Sequence, residues 1–284
     1  MNAINNIKSS RFKEKVAFSL LWGFSVITII ILVLILANII LNGVTGLSLS
    51  FLLEEPRKMG KEGGILSVII STFYIVILST VFAAPIGVGA SVYLTEYAKK
   101  GILLRIIRFG TESLAGIPSI IYGLFGYAFF VVFLNLKYSI LSGALTLTLM
   151  ILPTIVRTSE EAIKAVPQSY KEGSLALGAT NLQTIRKIVI PTAMPGILTG
   201  LILGIGRVVG ESAAVIYTAG SSLGIPNSIF RPGRTLSVHL YTLASEGLSK
   251  ENTYATAVVL IILVFMINYL ANSLINYIFI AKRR

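Results

Sequence analysis

Two oppositely charged side chains stand four residues apart in a stretch that is otherwise free of charge. Arg207 and Glu211 are the only charged residues between residues 188 and 230. Side chains four residues apart meet on one face of an α-helix, so these two can form an ion pair. Two interpretations remain open: a structural pair within a helix bundle, or an arginine that binds a passing anion while Glu211 holds its guanidinium group.

Most catalytic chemistry is excluded by the residue types present. The chain has no cysteine, a single histidine (His239), and glutamate at each of its 12 acidic positions. Disulfide scaffolds, thiol catalysis, cysteine- or histidine-rich metal sites and Ser-His-Asp triads are therefore excluded. The sequence also lacks the G-x-x-x-x-G-K-[ST] loop that binds ATP phosphates, so we expect no cofactor in this chain. His239 is expected to be a polar surface or packing residue.

The composition is that of a membrane protein. Of the 284 residues, 55% are hydrophobic and 13% are charged, and the mean hydropathy is +0.84. A water-soluble fold of this size cannot bury so much apolar surface. Charge-free stretches of about 20 residues are long enough to cross the hydrocarbon core as helices. The sequence predicts an all-α, polytopic membrane protein with six transmembrane helices near residues 17–42, 66–94, 113–135, 139–157, 193–219 and 255–280.

The distribution of basic residues predicts the orientation in the membrane. With the N-terminus in the cytoplasm, 16 of the 24 Lys and Arg residues lie on the cytoplasmic side and seven lie outside. This asymmetry places both termini in the cytoplasm. We expect a cytoplasmic segment 1–15, one transmembrane domain over 16–284 and an external loop 220–254. The net charge of +12 follows from this topology, so no nucleic-acid partner is expected. Glu96 and Glu112 are expected on a solvated face, paired with nearby basic residues.

One cytoplasmic segment carries helix signals although it is too polar for the hydrocarbon. Within residues 158–187, Ser/Thr-x-x-Glu/Gln patterns typical of helix N-termini begin at Thr158, Ser169 and Thr180. Gly178 predicts the end of a middle helix that covers residues 168–177. Small residues on this helix suit it to a groove in another protein, and an ordinary cytoplasmic loop is the alternative.

The same segment resembles the EAA motif of ABC importer permeases, E-A-A-x3-G-x9-I-x-L-P. The matching residues are Glu172, Gly178, Ile188 and Pro191. Gly173 and Ser174 replace the two alanines of the motif, and Ile190 replaces its leucine. The resemblance implies that the loop 158–191 forms a coupling helix seated in a cytoplasmic ATPase. The small residues would allow close approach, and the glutamate would help to hold the loop.

Further motifs resemble PstA-type permeases of phosphate-specific ABC importers. They occupy residues 94–97, 115–125, 153–161 and 206–212. The sister family PstC shares several of them, and Arg157 together with the segment 235–244 favours the PstA type. The resemblance implies a type I ABC importer permease fold with its core over 66–281. It also implies an anion pathway through Arg157 and Arg207, with Glu211 beside Arg207.

The resemblance implies a set of partners in a prokaryotic cell membrane. These are a PstC-like second permease, a PstB-like ATPase dimer that uses Mg-ATP, an extracellular PstS-like phosphate-binding protein and membrane lipid. Uptake of an anion needs an energy source, because one negative charge moved inward against 100 mV costs about 2.3 kcal/mol. Two alternatives remain: a permease for another oxyanion such as molybdate or sulfate, and an ion-coupled secondary carrier.

Overall fold

The computed structural model describes residues 2–99 and 101–280, most of them in helices. The α-helices are α1 (Asn2–Gly43), α2 (Leu49–Leu53), α3 (Leu66–Val92), α4 (Ile102–Ala115), α5 (Ser119–Gly126), α6 (Ile140–Lys164), α7 (Gln168–Ala176), α8 (Asn181–Thr184), α9 (Ile190–Gly210), α10 (Ala213–Thr218), α11 (Leu236–Ser245) and α12 (Lys250–Ile280). π-Helical turns follow α3 (Tyr93–Tyr97), α5 (Tyr127–Phe133) and α8 (Ile185–Val189). A short antiparallel hairpin pairs β1 (Pro56–Arg57) with β2 (Glu62–Gly63). Lys282, Arg283 and Arg284, which are predicted to lie on the cytoplasmic side, fall outside the described residues.

The number of membrane spans agrees with the sequence. Five helical runs are long and apolar enough to cross a membrane. A sixth span results if α4 is counted together with α5 and the π-helical turn that follows it, as one bent span. The angle between these two helices is 104°. The straight helix predicted over 113–135 is therefore wrong. Pro118 has an extended backbone (ψ 140°), and a proline disfavours helical geometry in the residue before it, so the chain turns at 116–118.

Helix α6 forms the centre of the molecule. In the most apolar stretch of α6, 67% of the residues are buried inside the chain. The corresponding share is 44% for α3 and 0% for α1. Ile140, Leu147, Ile151 and Ile155 of α6 are fully enclosed. They belong to a single apolar core with residues of α3, α9 and α10. The first span packs against α12 near its C-terminal end, where Gly43 meets Tyr254 and Val258, and offers most of its apolar surface to lipid or to another chain.

Helix α9 approaches α6 closely along a row of glycines spaced by four residues. A Cβ atom at Gly196 or Gly200 would overlap Ala162 or Thr158 of α6, and one at Gly204 would touch Ile151. Small residues at this spacing let two helix backbones approach each other within a membrane. The row therefore fixes the relative height of α6 and α9.

Of the three helix-start patterns in the cytoplasmic segment, one begins a helix and two do not. Helix α6 continues to Lys164, so the pattern at Thr158 lies inside a helix and does not begin one. The Thr158 hydroxyl donates to the Thr154 carbonyl of its own helix. Burial of Ile163 favours the extension of α6 beyond Thr158. The pattern at Ser169 does not start a helix either, since Pro167 precedes α7 directly. The box at Thr180 is confirmed, with both reciprocal hydrogen bonds to Gln183 present.

The segment 220–254 is an ordered structure that contains α11 and the start of α12. His239 of α11 is buried, with 1% of its surface exposed, so it packs in the interior and is not a surface residue. Arg234 donates to the carbonyls of Ser221 and Met59, and its Nη1 lies 3.4 Å from His239 Nδ1. Burial, and secondarily the Arg234 charge, lowers the pKa of His239 from 6.5 to about 4. The imidazole is therefore neutral near pH 7.

Candidate functional site

Arg207 and Glu211 do not form the ion pair that their spacing predicts. Helix α9 ends at Gly210, and Glu211 has an extended backbone (φ −78°, ψ 126°). Its Oε1 atom accepts a hydrogen bond from the Ala214 amide at 3.1 Å, and its carbonyl accepts one from the Ser237 hydroxyl. Glu211 therefore stabilises a break between α9 and α10, and the single helix predicted over 193–219 is wrong.

Arg207 lies in the last turn of α9 and is half-buried. Among the described residues, no carboxylate lies within ion-pair distance of its guanidinium group; the pairs that the structure contains involve other residues. A charged side chain inside a membrane must face water, a charge of opposite sign or a polar partner. The geometry leaves Arg207 able to receive such a partner from outside the chain.

Arg157 lies on α6, and 67% of its side chain is exposed. Its Nε atom is 3.3 Å from Glu161 Oε1, one turn further along the helix. Thr158 faces Gly200, so Arg157 is level with the middle of α9. Arg207 is about two turns further along α9, an axial offset of about 10 Å at 1.5 Å per residue. The structure thus places the two predicted arginines at different depths, and not in one site.

A polar cavity of about 240 Å³ opens beside Arg157. It contains an ionic cluster that the sequence analysis missed: Glu160 Oε1 lies 2.5 Å from Arg108 Nη2 of α4 and 2.7 Å from Lys164 Nζ. The Glu160 side chain is 11% exposed. The i,i+4 spacing of Glu160 and Lys164 could have revealed half of the cluster. Nothing in the sequence links Arg108 to it, since 52 residues separate it from Glu160.

Helix α7 and the turn after it present an outer surface with few contacts to the rest of the chain. Glu172 and Gly173 are exposed, and a Cβ atom at Gly173 or Gly178 would meet nothing within 4 Å. Gly178 has a φ of +83° and ends the helix as predicted. Leu177 is 91% exposed. A bare helix face bordered by glycine suits close approach of a second protein.

The remaining residues of the EAA-like pattern hold the loop together or begin the next span. Ser174 is half-buried, and its hydroxyl lies 2.9 Å from that of Thr184. Ile188 lies in the π-helical turn before α9 and is half-buried. Pro191 is the second residue of α9 and lies within the continuous helical run Asn181–Gly210. Among the described residues, Glu172 forms no ion pair; the acid that holds α7 is Glu96, paired with Lys171 at 2.6 Å. Glu96 is thus largely buried and not on a solvated face.

Comparisons with known proteins agree on one family of transport permeases. Residues 83–283 match the family described as "Binding-protein-dependent transport system inner membrane component". The probable ABC transporter permease protein YqgI of Bacillus subtilis is 36% identical over 273 residues, which cover 90% of this chain and 93% of that protein. The phosphate transport system permease protein PstA of Haemophilus influenzae is 34% identical over 252 residues, covering 87% and 89%.

The fold is shared with a solved ABC importer. A chain of the bacterial alginate ABC transporter, solved in complex with an alginate pentasaccharide-bound periplasmic protein, superposes with a TM-score of 0.70. The superposition covers 94% of this chain and 96% of that one at 13% sequence identity. The arrangement of helices is therefore that of a type I ABC importer permease.

Proposed function

The chain belongs to the family of binding-protein-dependent transport system inner membrane components, and we propose that it is the PstA-type permease subunit of an ATP-driven phosphate importer. The observation that carries the proposal is the likeness to phosphate transport permeases over most of the chain. The PstA 1 protein of Mycobacterium tuberculosis, for example, is 34% identical over 281 residues. As a permease it is a transport subunit, and a separate ATPase chain hydrolyses the ATP.

Arg207 supports an anionic substrate. Its charge lies in an apolar span and has no carboxylate partner among the described residues, because Glu211 is engaged at the helix break. A guanidinium group offers a planar fork of donors that grips two oxygens of a tetrahedral oxyanion at once. We assign Arg207 to the anion pathway, with Glu211 fixing the backbone beside it. Arg157, at a different depth, is a second cationic station nearer the cytoplasm.

The exposed α7 surface supports coupling to the ATPase. In this proposal Glu172, Gly173, Ser174 and Gly178 shape the contact, and Ile188 and Pro191 connect it to the α9 span. The unburied apolar surface of α1 and the incomplete enclosure of Arg207 are consistent with a second, PstC-like permease. A PstB-like ATPase dimer with Mg-ATP and a PstS-like extracellular phosphate-binding protein complete the assembly. Both termini lie in the cytoplasm, as the Lys/Arg distribution favours.

The function is tested by uptake into cells that depend on this transporter for phosphate. Labelled phosphate should accumulate, and excess unlabelled phosphate should compete while sulfate and molybdate should not. Competition by sulfate or molybdate would identify another oxyanion as the substrate. Uptake that persists without ATP but stops when an ionophore collapses the ion gradients would identify a secondary carrier.

The role of Arg207 is tested by substitution in the same cells. Arg207→Gln should abolish phosphate uptake although the complex assembles, and Arg207→Lys should retain partial activity because it keeps the charge without the planar fork. The double variant Arg207→Gln with Glu211→Gln keeps an oxygen acceptor for the Ala214 amide. If that double variant transports phosphate normally, the substrate does not need the Arg207 charge and the pathway assignment is wrong.

A further inference from the structure

A largely buried ion pair joins α7 to the end of α3. Lys171 Nζ lies 2.6 Å from Glu96 Oε1, and the two side chains are 17% and 13% exposed. The two residues are 75 positions apart in the sequence. Of the six ion pairs that the described residues form, it is the one in which both side chains are less than one-fifth exposed. In each of the other five, at least one side chain is 40% or more exposed.

Such a pair fixes geometry more than it stabilises the fold. Removing two charges from water costs about as much as their attraction returns, so apolar residues of the same volume hold a protein equally well. What an ion pair adds is a short, directional contact. In this chain the contact sets the position of α7 relative to the π-helical turn Tyr93–Tyr97, which carries Glu96.

Few other contacts tie α7 to the transmembrane helices. Helix α7 packs mainly on α8 and the following π-helical turn, which are parts of its own loop. The Ser174–Thr184 hydrogen bond also stays within this loop. A cavity of about 330 Å³ separates much of α7 from residues 95–97. The Lys171–Glu96 pair spans this cavity and connects α7 to the π-helical turn at the end of α3. A displacement of α7 would therefore be transmitted to α3 through this pair.

Helix α3 continues this connection into the core. Its Val88 and Val92 pack against the apolar cluster formed by Ile163, Val189 and their neighbours. At the far end of α3, the Thr72 hydroxyl accepts a hydrogen bond from the Leu236 amide at the start of α11. One continuous helix, with Pro85 in its interior, thus runs from the loop at one face of the protein to the segment that contains α11 at the other.

We propose that Lys171 and Glu96 are positioning residues that transmit movement of the ATPase-facing helix α7 to the transmembrane helix α3. The inference rests on the proposed function, because it assigns α7 to the ATPase contact. The pair neither touches the substrate nor contributes to ATP hydrolysis. Its loss should therefore separate ATP hydrolysis from transport while both the complex and the ATPase remain intact.

The test uses the complete transporter in proteoliposomes, with ATP hydrolysis and uptake of labelled inorganic phosphate measured on the same preparation. Lys171→Met and Glu96→Gln each remove one charge, and the exchange of Lys171→Glu with Glu96→Lys reverses the pair. Lys58→Met is the matched control, because it breaks a 2.7 Å lysine–glutamate pair that is exposed on the β-hairpin segment. The amount of assembled complex is measured for every variant.

Each single variant should lower the phosphate moved per ATP by about fivefold or more, within the usual range of coupling between sites. The reversed pair should recover most of the ratio, and the control should match the unmodified complex. If Lys171→Met does not assemble, Glu96→Gln decides the matter, because it removes the carboxylate charge and keeps the size and shape of the side chain. A variant complex that is less abundant but moves the normal amount of phosphate per ATP would overturn the proposal.

A failure of the proposed function gives a different result. In that case the unmodified complex does not transport phosphate at all. The pair is then judged by stimulation of ATP hydrolysis by the substrate-loaded binding protein, which the single variants should lose and the control should keep. Normal stimulation in Lys171→Met and Glu96→Gln would overturn the positioning role.

Discussion

The close approach of α6 and α9 makes Gly200 a sensitive position. An added Cβ atom there would lie 2.9 Å from Thr158 Cβ and closer still to the Thr158 hydroxyl. Carbon atoms pack best at about 3.5–4.0 Å, so the helices must separate by roughly 1 Å to admit it. Gly206 lies on the same helix, and a Cβ atom there meets nothing within 4 Å. Gly200→Leu and Gly206→Leu therefore differ in packing but share the same gain in helix propensity.

We expect Gly200→Leu to be less stable than Gly206→Leu by about 1–3 kcal/mol, the usual cost of overpacking. For a chain of this size the difference corresponds to a melting temperature roughly 2–12 °C lower. The assay is thermal unfolding of the detergent-purified protein, followed by size-exclusion chromatography. Adding Thr158→Gly to Gly200→Leu removes the opposing atoms and should recover part of the loss. Equal melting temperatures for the two leucine variants would refute the close-contact reasoning.

Three further predictions concern coupling, topology and pH. Gly178→Trp should uncouple ATP hydrolysis from phosphate uptake. Gly178→Asn should reduce uptake less, because asparagine tolerates the positive φ of this position. Normal uptake by the tryptophan variant would contradict the coupling role. A reporter fused after Lys171 should read cytoplasmic and one fused near Lys250 external, and the reverse result would overturn the six-span orientation. Stability supplied by neutral, buried His239 should be fully present above pH 6.5 and fall by about 3 kcal/mol as the pH drops to 4. In His239→Gln the loss of stability across this range should be smaller by about 3 kcal/mol than in the unmodified protein. An equal loss in both proteins contradicts this account.

The sequence predicted the parts of the fold that depend on apolar runs and local signals. The positions of α3, α6 and α12 follow from charge-free stretches, because the hydrocarbon excludes unpaired charges whatever the tertiary structure. The end of α7 at Gly178 and the capping box at Thr180 are local, so a few neighbouring residues determine them. The lengths of helices beyond the membrane were less accessible. Burial of Ile163, for example, extends α6 past its predicted end, and burial is a tertiary property.

The pairing of charges could not be predicted, because it depends on contacts between distant segments. Glu96 was expected to pair with basic neighbours on a solvated face, yet its partner is Lys171 in another helix. Likewise Arg108 pairs with Glu160, 52 residues away. Basic residues outnumber glutamates by two to one in this chain. Each glutamate therefore has several candidate partners, and only the packing of α4, α6 and α7 selects among them.

The break at Glu211 shows why a local spacing rule fails where a helix can end. The four-residue interval to Arg207 predicts an ion pair only if the helix continues through Gly210. The three-residue interval to Ala214 equally allows the carboxylate to cap a new helix, and the sequence does not distinguish these states. The Ser237 hydroxyl, 26 residues away, selects the second state by binding the Glu211 carbonyl that the break exposes. Because α9 ends at Gly210, that tertiary bond holds Glu211 in the break and away from Arg207. Arg207 therefore has no carboxylate partner among the described residues, and in the function proposed above it is available to an anion.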